Sequence, residues 1–406
     1  MKVVEVNYWD LVGRNFNGYD LHLKLRENGI DAKQIVMDKR SDADSVICLK
    51  HSWMLHEQVA HYEKEHSISN LLMPYITELK RIEEFQNADI KHYHILHNRM
   101  FSLYDYPDLM KGNSVWTIHD PWIVTGNCVY PMTCEKWRTG CGNCERLDEI
   151  YYEMEQDNTN FMWEVKRKVF REMNPHVVVA SEFMKRYMKE SPLTEHFDKI
   201  HVIPFGVDIS SYHDREELAD ENHIVIGFRA DNAPVKGCEY IYEALRQISD
   251  KDRIFLMTVG AGVIPEDIRK MYKVQEHSWI NDKQGMIDFQ EACDIFIMPS
   301  LAESFGLMAI EAMAAGNAVI CFKGTVLEDI TNAPICGSSV EYKSSSALAY
   351  EIERLSRNPR EIRQKGRMGR QLVEQKYQFD TYVKRHQELY ESILKESLDG
   401  KGKRYE

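Results

Sequence analysis

Short β-branched runs alternate with amphipathic helical patterns along most of the 406 residues. Such alternation is typical of parallel strands that are joined by crossover helices. Strands are predicted at 3–6, 34–37, 90–95, 114–119, 176–180 and 200–203, and again at 224–228, 254–259, 276–279, 295–299 and 318–321. Because the pattern restarts near the middle of the chain, the sequence predicts two doubly wound, Rossmann-like α/β domains.

A segment rich in Pro, Gly and acidic residues separates the two halves. It begins with Pro204-Phe205-Gly206-Val207-Asp208 and continues as a polar stretch that offers little to bury. We therefore divide the chain into an N-terminal domain at 1–207 and a C-terminal domain at 208–379. The last amphipathic helix, near 380–395, is expected to pack back on the first domain, and residues 396–406 to form a frayed tail.

The composition argues against nucleic acid as the main partner. Lys and Arg number 51 against 64 Asp and Glu, which gives a formal net charge of −13 and no long-range attraction to polyanions. Glu5 interrupts the apolar N-terminal run and no cleavage site follows it, so no signal peptide is predicted. No apolar run approaches the roughly 18 residues that span a bilayer. We expect a cytoplasmic protein, with any membrane contact peripheral and at the inner face.

The segment from Pro299 to Gly316 follows a predicted buried strand and has the pattern of a short helix. A serine and Glu303 are candidates to cap its start, and Gly316 would end it. Its first turn would present backbone N–H groups and the positive end of the helix dipole, which favour an anion such as a phosphate. The candidate residues are Ser304, Phe305, Gly306 and Leu307, with Glu311 two turns further on. The alternative is a capped amphipathic helix that binds nothing.

Glu303 and Glu311 have the E-x7-E spacing, within the string ESFGLMAIEAMAAG, of retaining glycosyltransferases of family four, which this segment resembles. Three further segments resemble that family in the same order along the chain, at 119–120, 202–208 and 227–237. The resemblance implies the GT-B fold, in which two Rossmann-like domains face a central cleft. It also implies that the C-terminal domain holds a nucleotide-diphosphate sugar and that the N-terminal domain serves the acceptor.

The resemblance assigns roles to the candidate catalytic residues. Arg229 and Lys236 are similar to the pair that holds the donor diphosphate, so that no catalytic metal is needed. Glu311 is similar to the residue that binds the donor ribose, Glu303 to the one that contacts the hexose, and His119 to a histidine near the transferred sugar. The reaction would retain the anomeric configuration, with a leaving phosphate oxygen taking the acceptor proton. From the residues alone, the alternatives are a solvated pair of basic side chains for Arg229 and Lys236 and a satisfied core histidine for His119.

The sequence departs from the family's pattern in two places. In the first strand-helix loop, Gly13-Arg14 replaces the usual paired glycines, although Gly13 remains a candidate for close approach to the donor phosphates. In the segment between the halves, Phe205 replaces the usual asparagine.

Four cysteines lie close together in the first half, with the spacing C-x5-C-x6-C-x2-C: Cys128, Cys134, Cys141 and Cys144. Four thiolates suit a tetrahedral zinc ion, and four protein ligands leave no open position, so such an ion would be structural. Free thiols packed in a loop, or a disulfide pair, are the alternatives. The cluster resembles that of family-four enzymes which build bacterial surface polysaccharides.

Residues 160–173 combine Phe161, Met162 and Trp163 with several lysines and arginines, a basic amphipathic pattern in an acidic protein. One interpretation is peripheral contact with an anionic membrane that carries a lipid-linked acceptor. The other is a helix whose apolar stripe packs on the N-terminal sheet.

Together these features predict a glycosyltransferase that transfers a hexose, with retention, from a nucleotide-diphosphate sugar to a sugar or lipid-linked sugar acceptor. The expected setting is the synthesis of a bacterial capsule, exopolysaccharide or other surface glycan. A nucleotide-sugar epimerase on the same fold is one alternative, and a non-catalytic sugar-binding protein is another. A zinc-knuckle protein that binds nucleic acid is opposed by the charge of −13.

Overall fold

The computed structural model of the chain describes residues 1–11, 18–148, 153–214, 220 and 222–402. The chain divides into two compact units. Unit 1 comprises Met1–Ile203 and the residues from Tyr382 onward, and unit 2 comprises Pro204–Thr381. Each unit is built on one parallel sheet with helices around it, so the predicted pair of doubly wound, Rossmann-like α/β domains is confirmed.

The strands of unit 1 are β1 (Lys2–Trp9), β2 (Asp31–Asp38), β3 (Val46–Cys48), β4 (Ile90–Tyr93), β5 (Ser114–Ile118), β6 (His176–Val179) and β7 (Ile200–Val202). They form one sheet in the order β3-β2-β1-β4-β5-β6-β7, and neighbouring strands are parallel. The strand order reverses between β1 and β4. In open parallel sheets, ligands bind beyond the carboxyl ends of the strands at such a switch point.

The helices of the first part of unit 1 are α1 (Tyr19–Glu27), α2 (Trp53–Glu65), α3 (Ile76–Lys80), α4 (Glu83–Gln86), α5 (Tyr106–Leu109), α6 (Thr159–Phe170) and α7 (Glu182–Glu190). Serine hydroxyls begin two of them: Ser52 accepts from the N–H of Leu55, and Ser181 accepts from the N–H of Met184. The central strands are buried along most of their length, as expected of a parallel sheet that is covered on both faces. Trp116 of β5 lies in the centre of this core, 1% exposed.

Unit 2 repeats the plan with six strands: β8 (Ile224–Ala230), β9 (Ile254–Gly260), β10 (Lys273–His277), β11 (Ile295–Met298), β12 (Ala318–Phe322) and β13 (Ser338–Val340). Its helices are α8 (Cys238–Gln247), α9 (Glu266–Met271), α10 (Lys283–Glu291), α11 (Leu307–Ala314), α12 (Val326–Ile330), α13 (Ser345–Ser356) and α14 (Pro359–Lys376). The strand order is β10-β9-β8-β11-β12-β13, so the switch point of this sheet lies between β8 and β11.

The last helix, α15 (Phe379–Gly402), begins in unit 2 and continues into unit 1. Within unit 1, the Tyr390 hydroxyl lies 2.7 Å from Nδ1 of His92 in β4. The helix is longer than the sequence analysis expected, because it continues to Gly402 through residues for which a frayed tail was predicted.

Helix α6 covers most of the basic amphipathic segment. Met162 and Trp163 are buried in the core of unit 1, and Phe161 is 49% exposed. Lys166 is also buried, where its ammonium donates to the carbonyl oxygens of Trp122 and Thr125 at 2.7 and 2.9 Å. A membrane contact through this helix would therefore depend on Phe161 and on the exposed basic side chains rather than on the apolar stripe. In the described part of the chain, no helix is both long and apolar enough to cross a bilayer.

Candidate active site

Most of the predicted donor-binding residues lie near the switch point of unit 2. β8 and β11 are adjacent and parallel, with Gly227 opposite Phe296, so their carboxyl ends lie side by side. The backbone N–H of Leu301, just after β11, donates to the carbonyl of Val235 at 2.8 Å. This hydrogen bond joins the segment after β8 to the segment after β11. The two segments hold Lys236 and Glu303.

Lys236 and Glu303 form an ion pair. The Lys236 ammonium donates to Oε1 of Glu303 at 2.6 Å, and the two side chains are 16% and 10% exposed. The structure therefore brings together a predicted phosphate ligand and a predicted sugar ligand. Because both charges are largely withdrawn from water, the pair is screened less than a surface ion pair.

Gly237 makes this arrangement possible. Its φ is +69°, a left-handed conformation that favours glycine, and a Cβ atom there would lie 2.1 Å from the carbonyl oxygen of Pro299. The turn that carries Lys236 can approach the end of β11 so closely only because residue 237 has no side chain.

Arg229 lies near the end of β8. Its guanidinium Nη2 donates to Asp231 at 2.6 Å and the group lies over the ring of Trp279, 4.8 Å from the ring centroid. The Arg229 side chain is 37% exposed, so it can reach a ligand from this position. Cation–π contact and the carboxylate together fix the orientation of the guanidinium.

Helix α11 begins differently from the prediction. Its N-cap is Gly306, with φ 103°, and no side chain in the described structure caps its first turn. The expected capping by a serine or Glu303 is therefore wrong, because a left-handed glycine turns the chain into the helix instead. Leu307 is the first residue of the helix, and Phe305 is 1% exposed.

Phe305 fixes the approach to α11 through aromatic contacts. Its ring meets those of Phe205 and Tyr377 edge-on, with centroids 5.4 and 5.8 Å apart. Phe205 is the residue that replaces the family's asparagine, and it here packs in an apolar cluster. Phe305 thus supports the loop by packing, and the backbone around it remains the candidate for phosphate binding.

Glu311 lies in α11, and burial raises the pKa of its carboxyl to about 7. Glu303 lies before the helix and Glu311 inside it. The two glutamates of the E-x7-E spacing thus have different surroundings: one is paired with a lysine, and the other has a carboxyl whose charge is opposed by burial.

His119 follows β5 in unit 1 and is 8% exposed. Its Nε2 lies 3.1 Å from Nδ1 of His94, and Nε2 of His94 lies 2.8 Å from Oε2 of Glu5. Burial, followed by the charges of His94, His92 and His97, lowers the pKa of His119 well below its usual value, and Glu5 acts in the opposite direction. His119 is therefore neutral at physiological pH.

The four cysteines of unit 1 line one groove together with Trp137 and Thr159. Cys141 accepts from the N–H of Gly126 at 3.2 Å, and Cys144 accepts from the N–H of Arg146 at 3.4 Å. Where the structure describes the chain, no three of the thiol sulphurs lie within 4.8 Å of one another. A tetrahedral zinc ion with bonds of about 2.3 Å needs its sulphurs closer than this, so the thiols as they lie do not fit the ion.

Sequence reasoning missed several residues that shape these sites. Trp279 and Asp231 hold Arg229, and Glu5 and His94 hold His119. A signal for the second pair was present, because an acid in an otherwise apolar strand and a histidine directly after another strand are unusual in a buried sheet. The remaining predicted residue, Gly13, lies outside the described residues.

Two family models match the chain. The model for Glycosyltransferase Family 4 matches residues 20–211, and the model for Glycosyl transferases group 1 matches residues 211–372. The two matches meet at residue 211, close to the division between the units.

Individual relatives agree with these matches. The chain is 25% identical over 260 residues to the protein of Escherichia coli K12 named as the colanic acid biosynthesis glycosyl transferase WcaC, covering 57% of this chain and 59% of that one. The chain spans about half the length of the curated relatives it matches.

Solved structures resemble the whole chain. Sucrose-phosphate synthase of Thermosynechococcus elongatus has a TM-score of 0.68 at 17% identity, with 96% of this chain and 98% of that chain covered. HepE of Anabaena, in complex with UDP and glucose, has a TM-score of 0.63 at 14% identity, with 97% and 100% covered. Fold and family matches agree, and the chain belongs to the GT-B glycosyltransferases, with a family 4 domain followed by a group 1 domain.

Proposed function

We propose that the protein transfers a hexose from a nucleotide-diphosphate sugar to a glycan or lipid-linked sugar acceptor, with retention of configuration. The observation that carries this proposal is the set of charged side chains at the switch point of unit 2. Arg229 lies near the carboxyl end of β8, and Lys236 and Glu303 lie beyond the ends of β8 and β11, where open parallel sheets bind nucleotides. These are the side chains that the donor chemistry requires.

The two basic residues suit the leaving group. A nucleoside diphosphate gains negative charge as the glycosidic bond breaks, and fixed cations stabilise that charge in the transition state. Arg229 is held by Asp231 and Trp279, so its guanidinium is already oriented. Lys236 is held by Glu303 at 2.6 Å. We infer that these cations supply the charge which a metal ion supplies in other enzymes.

The carboxylates suit the hydroxyl groups of the donor. Carboxyl oxygens accept hydroxyl hydrogens whether or not the group is ionised, so Glu311, with its raised pKa of about 7, would bind the ribose and Glu303 the hexose. The backbone N–H groups of residues 304–307 would meet the phosphates at the start of α11. In unit 1, His119 would contact the transferred sugar. With the leaving phosphate oxygen taking the acceptor proton, the reaction needs no dedicated protein base.

The relatives suggest where to look for substrates. The name of WcaC refers to colanic acid biosynthesis, and HepE was solved with UDP and glucose. We therefore infer that the acceptor is a growing surface glycan, and UDP-sugars are the first donors to test. None of these comparisons favours the epimerase or the non-catalytic alternative.

The test is a thermal-shift and turnover series on the purified chain. UDP, GDP, ADP and CMP and their common sugar conjugates are compared, since a ligand of the native state raises the melting temperature. Nucleoside diphosphate release is then measured with the sugar conjugate that binds. Arg229→Ala and Glu311→Ala should abolish the shift, and Arg269→Ala, which removes an exposed arginine paired with Glu276, should not.

A shift with one diphosphate class, lost in both site variants, is the expected result. The anomeric configuration of the product, read by NMR, then tests retention, and turnover in excess chelator tests metal independence. The absence of any shift with millimolar nucleotides would overturn the donor site.

We also propose a structural zinc ion in the cysteine groove. The observation that supports it is that all four cysteines line the same groove. Binding would require the sulphurs to draw closer together than they lie. Metal analysis of protein purified without added zinc should give about one ion per chain, reduced in Cys141→Ser; a metal-free wild type at full stability would exclude the ion.

A further inference from the structure

The switch point of unit 1 holds a buried polar network that the proposed chemistry does not use. It is built from β1, β4 and β5, which are neighbours at the centre of the sheet. Glu5 of β1 lies opposite His92 of β4, and His94 follows β4 as His119 follows β5. Glu5, His92 and His94 are no more than 1% exposed. Burying this many polar groups is costly unless they are paired, so their pairing is informative.

The network contains a linear chain of three side chains. Oε2 of Glu5 lies 2.8 Å from Nε2 of His94, and Nδ1 of His94 lies 3.1 Å from Nε2 of His119. The two imidazole rings are stacked with centroids 5.3 Å apart. Each distance is that of a hydrogen bond, so each link needs one donor and one acceptor.

The charge state of Glu5 decides which atoms donate and which accept in these two hydrogen bonds. Burial alone would raise the pKa of this carboxyl, but hydrogen bonds and charges from His92 and His94 hold it well below its usual value. An ionised carboxylate only accepts, so Nε2 of His94 must carry the proton that it donates to Glu5. If the ring of His94 is the neutral imidazole, its second nitrogen has no proton, and Nδ1 of His94 accepts. Nε2 of His119 must then be the donor of the second hydrogen bond.

The hydrogen bond between Glu5 and His94 requires a glycine at position 18. A Cβ atom at Gly18, where φ is +80°, would lie 2.1 Å from Oε2 of Glu5 and 2.5 Å from Nε2 of His94. Gly18 directly precedes α1, so a larger residue at the start of this helix would displace both side chains.

A metal ion explains the cluster less well. Glu5, His92 and His94 do bring three ligand-type atoms within 4.8 Å of one another. Both nitrogens of His92 are already used, one with the Tyr390 hydroxyl at 2.7 Å and one with Thr117 at 2.6 Å. His94 likewise uses both nitrogens. The nitrogens of both histidines are therefore engaged in hydrogen bonds within the cluster, whereas Oε1 of Glu5 has no hydrogen-bond partner among the described residues.

We propose that His94 is a neutral imidazole and that Glu5 and His94 are positioning residues, which hold His119 as one tautomer with the proton on Nε2 and an acceptor lone pair on Nδ1. The proposal rests on the proposed contact between His119 and the transferred sugar. A hydroxyl bound at Nδ1 must then donate its hydrogen to the ring. The network would thus select the orientation of one sugar hydroxyl, which is a means of specificity.

The first test needs no variant. Nitrogen shifts of histidine side chains, in protein labelled at histidine, distinguish the two neutral tautomers and the imidazolium, and His119→Gln identifies the signal. We expect His119 as the Nε2–H tautomer. An Nδ1–H tautomer of His119 would mean that His94 carries a second proton. A charged imidazolium at His119 at neutral pH would mean that Glu5 and His94 do not fix its protonation. Either result overturns the proposal.

The second test uses Glu5→Gln, which keeps the volume but removes the charge that fixes the proton order. We expect the turnover number to fall about 10- to 100-fold, as for other residues that orient a functional group. The affinity for the free nucleoside diphosphate should change less than about twofold, because the proposed diphosphate ligands lie in unit 2. The His119 signal should shift to a mixture of tautomers.

The matched control is His176→Asn. His176 and His201 form a second imidazole pair in unit 1, with 3.3 Å between Nδ1 and Nε2, but His176 begins β6 whereas His119 follows the end of β5. This variant should leave the His119 signal unchanged. Equal effects of both variants on turnover would reduce Glu5 to a structural role.

The two proposals fail in different ways. A wild-type protein that binds no nucleoside diphosphate contradicts the proposed function and leaves the tautomer result standing. A protein that binds and turns over the donor, with Glu5→Gln as active as the wild type, contradicts only the positioning role.

Discussion

The Lys236 ammonium lies 2.6 Å from Oε1 of Glu303, although 67 residues separate the two in the sequence. The pair places a cation that the diphosphate needs beside a carboxylate that competes for it. Removing the negative charge should therefore release Lys236 toward the phosphates.

Glu303→Gln is expected to separate nucleotide binding from turnover. The nucleoside diphosphate should bind about 3- to 10-fold more tightly, the range set by an ion pair worth roughly 1 kcal/mol. Sugar transfer should fall by at least about 100-fold, because the hexose loses its carboxylate. Calorimetric titration and diphosphate release measure the two effects. The control is Glu243→Gln, which removes an exposed partner of Arg246; weaker binding by Glu303→Gln alone would show that Glu303 does not compete.

Arg229→Lys tests whether charge alone is enough at that position. A lysine cannot reproduce both the stacking on Trp279 and the bond to Asp231, because the guanidinium is planar and has several fixed donors. We expect both Arg229→Ala and Arg229→Lys to weaken binding of the nucleoside diphosphate about 10-fold or more. Binding of the nucleoside without phosphates should change little. Full affinity in Arg229→Lys would contradict a role for the geometry.

Two glycines with nearly the same φ allow a test of the close packing between the turn that carries Lys236 and the end of β11. Gly237 and Gly324 have φ of +69° and +71°, but a Cβ atom would meet Pro299 at 2.1 Å in the first case and nothing within 4 Å in the second. Gly324→Ala should cost about 1 kcal/mol of unfolding free energy, from the left-handed conformation alone. Gly237→Ala should cost roughly 3 kcal/mol or more, from added overpacking. Denaturant titration compares them, and equal losses would exclude the steric effect.

Glu311 predicts a pH-dependent stability. Burial raises the pKa of its carboxyl to about 7, whereas an unfolded chain titrates near the ordinary value of 4.5. As the pH rises from 4.5 to 7, the unfolded chain loses this proton before the folded one, so the contribution of Glu311 to stability falls over that interval.

The variant that checks this effect is Glu311→Gln, whose amide does not titrate. Its melting temperature relative to the wild type should rise by several degrees between pH 4.5 and pH 8, since a shift of this size corresponds to a few kcal/mol. A constant difference across the range would mean that Glu311 titrates normally.

The two-domain plan was predictable because buried parallel strands are continuous apolar runs and the helices between them have a different period. The three-residue edge strands Val46–Cys48 and Ser338–Val340 were missed, whereas Ile200–Val202, an edge strand of the same length, was predicted. A strand of three residues shows too little alternation to be recognised reliably. The helix after β11 was predicted, but its start at Leu307 depends on the left-handed Gly306, which a capping rule based on side chains does not anticipate.

The candidate site was predictable to the level of residue type. The E-x7-E spacing and the basic residues after β8 gave Glu303, Arg229 and Lys236, but not the pairing of Lys236 with Glu303. That pairing depends on Gly237 and on the adjacency of β8 and β11, which are properties of the folded sheet. The partners of His119 come from two other strands, so no local pattern could relate them to it.

Helix α15 belongs mainly to unit 1 but follows all of unit 2 in the sequence, so unit 1 can finish folding only after unit 2 has been synthesised. Residues 204–381 hold all of unit 2 in one continuous stretch, whereas unit 1 needs both the first part of the chain and the helix that contributes Tyr390. A ribosome that makes the chain from its first residue therefore delivers every residue of the second unit before the last helix of the first. Until that helix emerges, His92 lacks its Tyr390 partner, and the sheet that started folding first would be the last to finish.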